Sequence, residues 1–390
     1  MPPSPDFPTF PQKVSLPTLA VNTRLLLPGR IEGISRFAYE VLTRMVKRHP
    51  EVTFHFLFDR PYAKEMVFGS NVIPHHVPPP ARHPVLWYAW FHISTRLKLA
   101  RLSPDAYFSP ELYHSFHPGI PQLPVFHDLG YEHFPEDVTG SHGRYFRHYS
   151  RKYAQAAHHL FTVSEYSKQD IVDTYGILPE KITVVHNGAG SGFQPISSPE
   201  EKQAIRDRYT AGKPYFYFVG TLQPRKNVHS LLKAFDRFRS QVEEDWQLLI
   251  VGRKGWKYAE AEQAYEQMTY REAVQFTGFV PDDALKKIGA ASEGLVYLPR
   301  FEGFGIPLLE ALHMEVPVIS SNLTAMPEVV GDAALLVDPY DIDAVAKCMA
   351  RLAHSPELRH ELVAKGRLQR ANFSWDKTYE RVWGELEKWL

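Results

Sequence analysis

The sequence predicts an α/β chain built from two Rossmann-like βα domains joined by a linker. Three observations predict it. Short apolar runs of strand type alternate with longer stretches whose apolar residues recur at three- and four-residue spacing, as strands alternating with amphipathic helices do. Several strand runs end in glycine-bearing loops that lead straight into a helix, like the first unit of a nucleotide-binding domain. Residues 191–213, SGFQPISSPEEKQAIRDRYTAGK, interrupt the pattern with prolines, serines and charges, the composition of an interdomain connection. At 390 residues, size by itself suggests about two or three domains.

Composition narrows the function. Apolar content is 44% and charged content 23%, as in soluble globular proteins. The 44 basic and 44 acidic residues cancel, so no nucleic-acid partner is expected. The single cysteine, Cys348, cannot form an intrachain disulfide and suits a reducing cytoplasm. No apolar run approaches the roughly 18 to 20 residues that span a bilayer. The N-terminal stretch MPPSPDFPTFPQK is rich in proline and has no apolar h-region, so it is not of signal-peptide type; residues 1–17 are expected to be a disordered tail. The 19 histidines show no tight H-x-x-x-H pair with a nearby cysteine, so no metal site is expected.

The first domain is expected over residues 18–190. TLAVNTRLLL (18–27) reads as its first strand, followed by Gly29 and Gly33 in a loop and a helix with Ile34, Phe37, Ala38, Val41, Leu42 and Met45 on one face. VTFHFLF (52–58) is a second strand, and residues 62–80 are loop-rich. Residues 81–102 form a helix that mixes Trp87, Tyr88, Trp90 and Phe91 with Arg82, Arg96, Lys98 and Arg101. Such a helix can lie on an anionic membrane surface or pack on the sheet; the first would suit a lipid-linked acceptor and contact with the inner face of a membrane. DAYFSP (105–110) and PVFHDL (124–129) are further strands. Ligands of open α/β sheets sit at the carboxyl ends of strands, which places His127 and Asp128 well. A histidine beside an aspartate can act as a base, a hydrogen-bond donor, a metal ligand or a structural pair. A basic helix (141–159), a strand, a helix with Ser164 at its N-cap and Gly176 at its end, and the strand in KITVVHNGAG (181–190) complete the domain.

The second domain is expected over residues 214–372. Strand 215–219 leads through Gly220 and Thr221 to Pro224-Arg225-Lys226-Asn227 and a helix. Adjacent cations at such a turn suit a diphosphate: arginine offers a fork to paired oxygens and lysine a mobile point charge. WQLLIVGRKGW (246–256) is a strand whose exit holds Gly252 and Lys254. VQFTGFVPDDAL (274–285) gives a strand, a Phe279-Val280 turn, and a helix capped by Asp282 or Asp283. LVYL (295–298) then leads into FEGFGIPLLEAL (301–312): Glu302, the loop Gly303-Phe304-Gly305-Ile306, Pro307 at the first helical position, and Glu310 one turn into the helix. Free N–H groups at a helix N-terminus attract an anion. Carboxylates on either side of that anion make sense as holders of hydroxyls, so the ligand implied is a nucleotide sugar. VPVISS (316–321) and NLTAMPEVVGDAALLVDP complete the sheet. In YDIDAVAKCM, Asp341-x-Asp343 has the form of a metal pair, but it begins an amphipathic helix, where Asp341 reads as an N-cap. Residues 373–390 end the chain in a helix with Trp375, Tyr379, Val382, Trp383 and Leu386 on one face.

The run E-G-F-G-I-P-L-L-E, with seven residues between Glu302 and Glu310, resembles the signature of retaining glycosyltransferase family 4. G-T-L-Q-P-R-K-N, V-S-E-Y-S, V-V-H-N-G and Pro327-Glu328-Val329 are similar to further segments of that family, and the likeness covers nearly the whole chain beyond the tail. In place of the family's G-G-I-G-R this chain has E-G-I-S-R, so Gly33, Ile34 and Arg36 match and Ser35 does not. The resemblance implies a GT-B fold, with the two domains facing each other across a cleft and the last helix crossing back to the first domain. It implies that Arg225 and Lys226, with Gly220, Thr221 and Gly252 nearby, grip the diphosphate together with the 303–306 amides. The backbone of Phe279 and Val280 would hold the base, Glu310 the ribose, and Gly33 would lie against the sugar and phosphate. His127 and Glu302 would orient the transferred sugar.

The function implied is metal-independent, cofactor-free transfer of a hexose from a nucleotide diphosphate sugar to a glycan or lipid-linked glycan. The H-D-L…F-P-E run (127–136) looks most like bacterial mannosyltransferases of surface polysaccharide assembly, which favours GDP-mannose; UDP- and ADP-linked donors, a sugar-nucleotide epimerase of the same fold and a non-catalytic nucleotide-sugar-binding module stand as alternatives.

Overall fold

The computed structural model describes residues 16–390 apart from Arg30, Pro118, Thr139, Trp256 and Lys257. The expectation for the tail falls almost wholly on residues 1–15, outside the described residues. Two parallel sheets form the molecule, of seven and six strands. The first contains β1 (Thr18–Asn22), β2 (Thr53–Phe58), β3 (Val72–His76), β4 (Ala106–Ser109), β5 (Gln122–Phe126), β6 (Leu160–Thr162) and β7 (Ile182–Val184), in the spatial order β3-β2-β1-β4-β5-β6-β7. Its helices are α1 (Ile34–Arg48), α2 (Pro84–Tyr88), α3 (Arg96–Leu102), α4 (Gly130–His133), α5 (Gly140–Ala156) and α6 (Glu165–Tyr175). A π-helical stretch, Ala89–Thr95, joins α2 to α3.

After α7 (Pro199–Thr210) the second sheet runs through β8 (Tyr215–Val219), β9 (Gln247–Val251), β10 (Val274–Gly278), β11 (Gly294–Tyr297), β12 (Val318–Ser321) and β13 (Ala334–Val337), ordered β10-β9-β8-β11-β12-β13. Between and after them come α8 (Val228–Arg239), α9 (Ala259–Glu266), α10 (Asp282–Ala291), α11 (Ile306–His313), α12 (Met326–Val330), α13 (Ile342–His354), α14 (Pro356–Arg370) and α15 (Trp375–Leu386). In both sheets the strand order reverses beside the first strand, at β1/β4 and at β8/β11. The crevice at such a switch point is where open α/β sheets hold ligands.

Local chemistry explains most of these boundaries. Ser164 accepts from Ser167 N–H and caps α6, which ends at left-handed Gly176 (φ 69°). Asp341 accepts from Ala344 N–H and caps α13. α15 lays Trp375, Tyr379, Val382, Trp383 and Leu386 into the core of the first sheet against α1, the crossing that the resemblance implied.

Several expectations need correction. β1 stops at Asn22 rather than Leu27, because Leu26 N–H turns back to the Thr23 carbonyl. The loop-rich 62–80 stretch contains β3, an edge strand in which Pro74 and two histidines hide the strand pattern; proline is tolerated there because the missing donor faces no partner. Neither Asp282 nor Asp283 caps α10: Pro281 holds the N-cap position and both acids lie in the first turn. Pro307 takes the second helical position of α11, after Ile306. By contrast, the short helix expected from EEKQAIRDRY in the connecting stretch is present as α7, which packs on α10 and buries Ile205 in the core of the second sheet.

Candidate active site

A cleft with a cavity of about 350 Å³ lies between the carboxyl edges of the two sheets, and all fifteen residues singled out from the sequence line it. From the first domain come Gly33 and His127. From the second come Gly220, Thr221, Arg225, Lys226, Gly252, Phe279, Val280, Glu302, Gly303, Phe304, Gly305, Ile306 and Glu310. Lys254 turns away and reaches Glu262 at 3.3 Å.

The cations sit on a rigid turn. Pro224–Lys226 is a single 3-10 turn that ends at buried Asn227, in the left-handed region at φ 55°. The Asn227 Nδ2 donates to the Pro339 carbonyl at 2.9 Å, and the Arg225 carbonyl accepts from Arg300 N–H at 2.9 Å. Held this way, Arg225 Nη1 lies 3.0 Å from Glu302 Oε1 and 3.7 Å from Asp128 Oδ2 of the opposite domain. Lys226 Nζ donates to Glu302 and to the Tyr297 hydroxyl, and sits 5.0 Å from the centre of the Tyr297 ring. Burial alone would raise the Glu302 pKa, but Arg225 and Lys226 outweigh it and hold the carboxyl below its usual range. Glu302 is therefore a buried carboxylate between two cations.

The glycine loop follows directly. A Cβ on Gly303 would stand 1.9 Å from the His127 carbonyl oxygen, so only glycine lets the two domains touch here. Gly305 holds φ +90° as the N-cap of α11, a backbone that side-chain-bearing residues rarely adopt. The N–H groups of Gly303, Phe304 and Gly305 have no acceptor among the described residues, and Ile306 opens the helix. Together they form a row of free donors at the positive end of a helix.

Glu310, one turn further on, has the opposite character to Glu302. Burial pushes its pKa up to about 8, with Asp282 adding to the effect, while Arg36 and the Gly190 N–H oppose it. Across the cleft, His127 Nε2 donates to the Pro110 carbonyl at 2.9 Å. A carbonyl can only accept, so the proton is on Nε2 and Nδ1 is the ring's acceptor. Burial lowers the His127 pKa and keeps the ring neutral.

The cleft and the contact beside it also hold residues to which the sequence assigned no part in the site. Asp128 was seen only as the neighbour of His127, yet it faces Arg225. Tyr297, the last residue of β11, stood in the apolar run LVYL and is the Lys226 partner. Arg36 reaches Asp282 across the cleft at 3.1 Å. Arg253 lies 4.4 Å from the centre of the Phe279 ring and 3.8 Å from Glu32. Glu328 accepts from the N–H groups of Glu165 (2.9 Å) and Tyr166 (3.2 Å) and pairs with His186 at 2.6 Å, so it ties the second domain to the α6 N-terminus. The pairing of Arg36 with Asp282 had no local signal; Asp128 stood in a visible His-Asp pair.

Two facing Rossmann-like domains, a crossing final helix, and a cationic turn beside a glycine loop with flanking acids define the GT-B class of glycosyltransferases. The chain matches the glycosyltransferase family 4 profile over residues 31–189 and that of glycosyl transferases group 1 over residues 201–369. It belongs to this glycosyltransferase family.

Among curated relatives, it is 32% identical over 252 residues to the O-antigen chain mannosyltransferase B of Escherichia coli, covering 65% of this chain and 66% of that protein. It is 27% identical over 282 residues to the O-antigen chain mannosyltransferase RfbU of Salmonella typhimurium, covering 70% and 72%. It is 26% identical over 222 residues to the serotype-specific mannosyltransferase WbdA of E. coli, covering 56% of this chain and 27% of that one. The matched segment thus spans a little under two thirds of the first relative and about a quarter of the WbdA protein. Among solved structures, Anabaena HepE in complex with UDP and glucose superposes with a TM-score of 0.73 at 16% identity, covering 96% of this chain and 100% of that one. WaaG, a glycosyltransferase involved in lipopolysaccharide biosynthesis, superposes with a TM-score of 0.71 at 17% identity, covering 93% and 98%. At that identity these two speak for the fold.

Proposed function

We propose that this chain is a retaining, metal-independent hexosyltransferase of surface polysaccharide synthesis. In this reading it works in the cytoplasm and moves mannose from GDP-mannose to a hydroxyl of a glycan or lipid-linked glycan. The observation that carries it is the convergence of Arg225, Lys226 and the free 303–306 amides on one side of the cleft, with neutral His127 opposite. The names of the mannosyltransferase relatives support the choice of sugar.

The diphosphate leaves with growing negative charge. Two fixed cations and a row of N–H donors meet that charge without reorganising, and one such donor is worth about 3 kcal/mol. The ionised Glu302 keeps Arg225 and Lys226 aimed into the cleft while it is empty. Once the diphosphate takes up those cations, Glu302 can accept from hydroxyls of the transferred sugar, which His127 approaches from the other wall. Glu310 holds the ribose. The acceptor attacks on the face from which the diphosphate departs: its oxygen bonds to the anomeric carbon as the bond to the phosphate oxygen breaks. The proton passes to the departing diphosphate, the nearest base on that face, and the anomeric configuration is kept.

The test is transfer from GDP-mannose by folded Arg225→Ala and Glu310→Ala variants. Loss of the arginine should lower kcat by about 100-fold, and activity of the intact enzyme should persist in EDTA. Full activity in both variants would overturn the site. A thermal-shift panel of GDP, UDP and ADP identifies the base. Product formed from donor without acceptor would signal an epimerase, and stabilisation without turnover a binding module.

A further inference from the structure

One face of the first domain departs from the charge balance of the rest. Residues 81–104 carry Arg82, Arg96, Lys98 and Arg101, residues 138–164 carry Arg144, Arg147, Arg151 and Lys152, and neither stretch holds an aspartate or glutamate. In a chain whose 44 basic and 44 acidic residues cancel, this is a concentration of charge on neighbouring elements, for α2 packs against α5. All but the half-buried Lys98 are exposed. Ion pairs are frequent elsewhere on the surface, yet among the described residues none of these cations meets a carboxylate. Arg151 donates to the Thr174 carbonyl at 3.1 Å and Lys152 to His148 at 2.8 Å.

The same face is apolar. The run from α2 to α3 buries Trp87, Trp90, Phe91 and Leu99 against the domain and leaves Val85, Leu86, Tyr88, Ile93 and Leu97 exposed, by 36% to 69%. Ile93 and Leu97 stand four residues apart where the π-helical stretch passes into α3, so they share one outward side. A groove of about 800 Å³ lies between α2 and α5, walled by Val85, Tyr88, Arg144, Arg147, His148 and Tyr149. Charge without apolar residues suits any polyanion. Apolar side chains flanked by unpaired cations suit an interface whose interior is oily and whose edge is anionic. Among the described residues no helix is long and apolar enough to cross a membrane.

We propose that the α2–α3 run and the basic side of α5 dock this protein on an anionic lipid bilayer. Ile93, Leu97 and their neighbours enter the interface, and the arginines meet phosphate headgroups. The surface is tied to the cleft through buried contacts. Trp87 Nε1 and Arg24 Nη1 both donate to the Ala81 carbonyl, at 2.8 and 3.3 Å. Arg24 grips Glu111, and the carbonyl of the preceding residue, Pro110, accepts from His127. These contacts join the docking surface to the His127 wall of the cleft. The docking itself does not depend on the donor or on turnover.

The experiment is flotation of the intact protein with vesicles of phosphatidylglycerol and phosphatidylcholine, and with phosphatidylcholine alone. The protein should float with the anionic vesicles, stay behind with the neutral ones, and be released by salt. Arg144→Gln with Arg147→Gln should lower partitioning roughly 25-fold, at about 1 kcal/mol for each cation near an anionic surface. Ile93→Glu with Leu97→Glu should abolish flotation, with an unfolding temperature close to that of the parent. Wild-type protein left in the bottom fraction, or flotation indifferent to both double variants, would overturn the proposal. So would retention on heparin without vesicle binding, which assigns the face to a polyanion.

Discussion

Glu302 and Glu310 share one loop and helix, yet they behave as opposite acids. Arg225 and Lys226 outweigh the burial of Glu302 and keep it ionised. Among the described residues no cation contacts Glu310 directly, and burial raises its pKa to about 8 from an ordinary 4.5. A carboxyl whose folded pKa lies above its unfolded value holds a proton that the unfolded chain gives up. Its contribution to stability is complete below about 4.5 and is lost as the pH rises through about 8. Thermal unfolding followed across that window should show stability falling with pH, and Glu310→Gln, which cannot ionise, should flatten the slope. An unchanged slope would remove the assignment. Both acids were visible in the sequence. Their charge states were not, because the Glu302 partner Lys226 lies 76 positions away and the burial of Glu310 is made by two domains.

At the scale of elements, the loop between β11 and α11 does two jobs, offering free N–H groups and accepting the backbone of the other domain. Gly303→Ala would drive a methyl group into the His127 carbonyl, 1.9 Å away, and backbone on both sides leaves no side chain to yield. Relief requires the domains to separate. Since a displacement of about 1 Å can cost 100-fold in rate, the variant should lose about that much kcat. Small-angle scattering should show it no more compact with nucleotide than without; wild-type kcat would refute the contact. The glycines and the helix beyond them were legible from the sequence, as were the Ser164 and Asp341 caps, since these depend on neighbours within four residues. β3 was not, because an edge strand need not show an apolar pattern. The role of Asp282 was not, because its partner Arg36 belongs to the other domain.

For the whole molecule, closure rests on a few pairs that span the cleft, Arg225–Asp128, Arg36–Asp282, Arg300–Asp137 and His186–Glu328, and on α15. That helix follows the second domain in the chain and packs in the core of the first, where Trp383 stacks on His49 at 3.6 Å. Removing a buried tryptophan typically costs about 3 to 5 kcal/mol. Trp383→Ala should therefore lower the urea midpoint of the first domain and leave the second nearly unchanged. Equal shifts in both transitions would mean that the helix stabilises the chain in some other way.

The sequence by itself determined the alternation of strands and helices, the cationic turn, the glycine loop and the paired acids, because each is written in residues close together along the chain. The tertiary structure decided which groups face one another: Arg225 with Asp128, Gly303 with the His127 carbonyl, Glu328 with the start of α6. It also decided that the apolar side chains of the α2–α3 run divide between a buried aromatic face and an exposed one ringed by unpaired cations. Charge states and contacts depend on distance in space, and two domains packed against each other bring together residues that no local pattern connects.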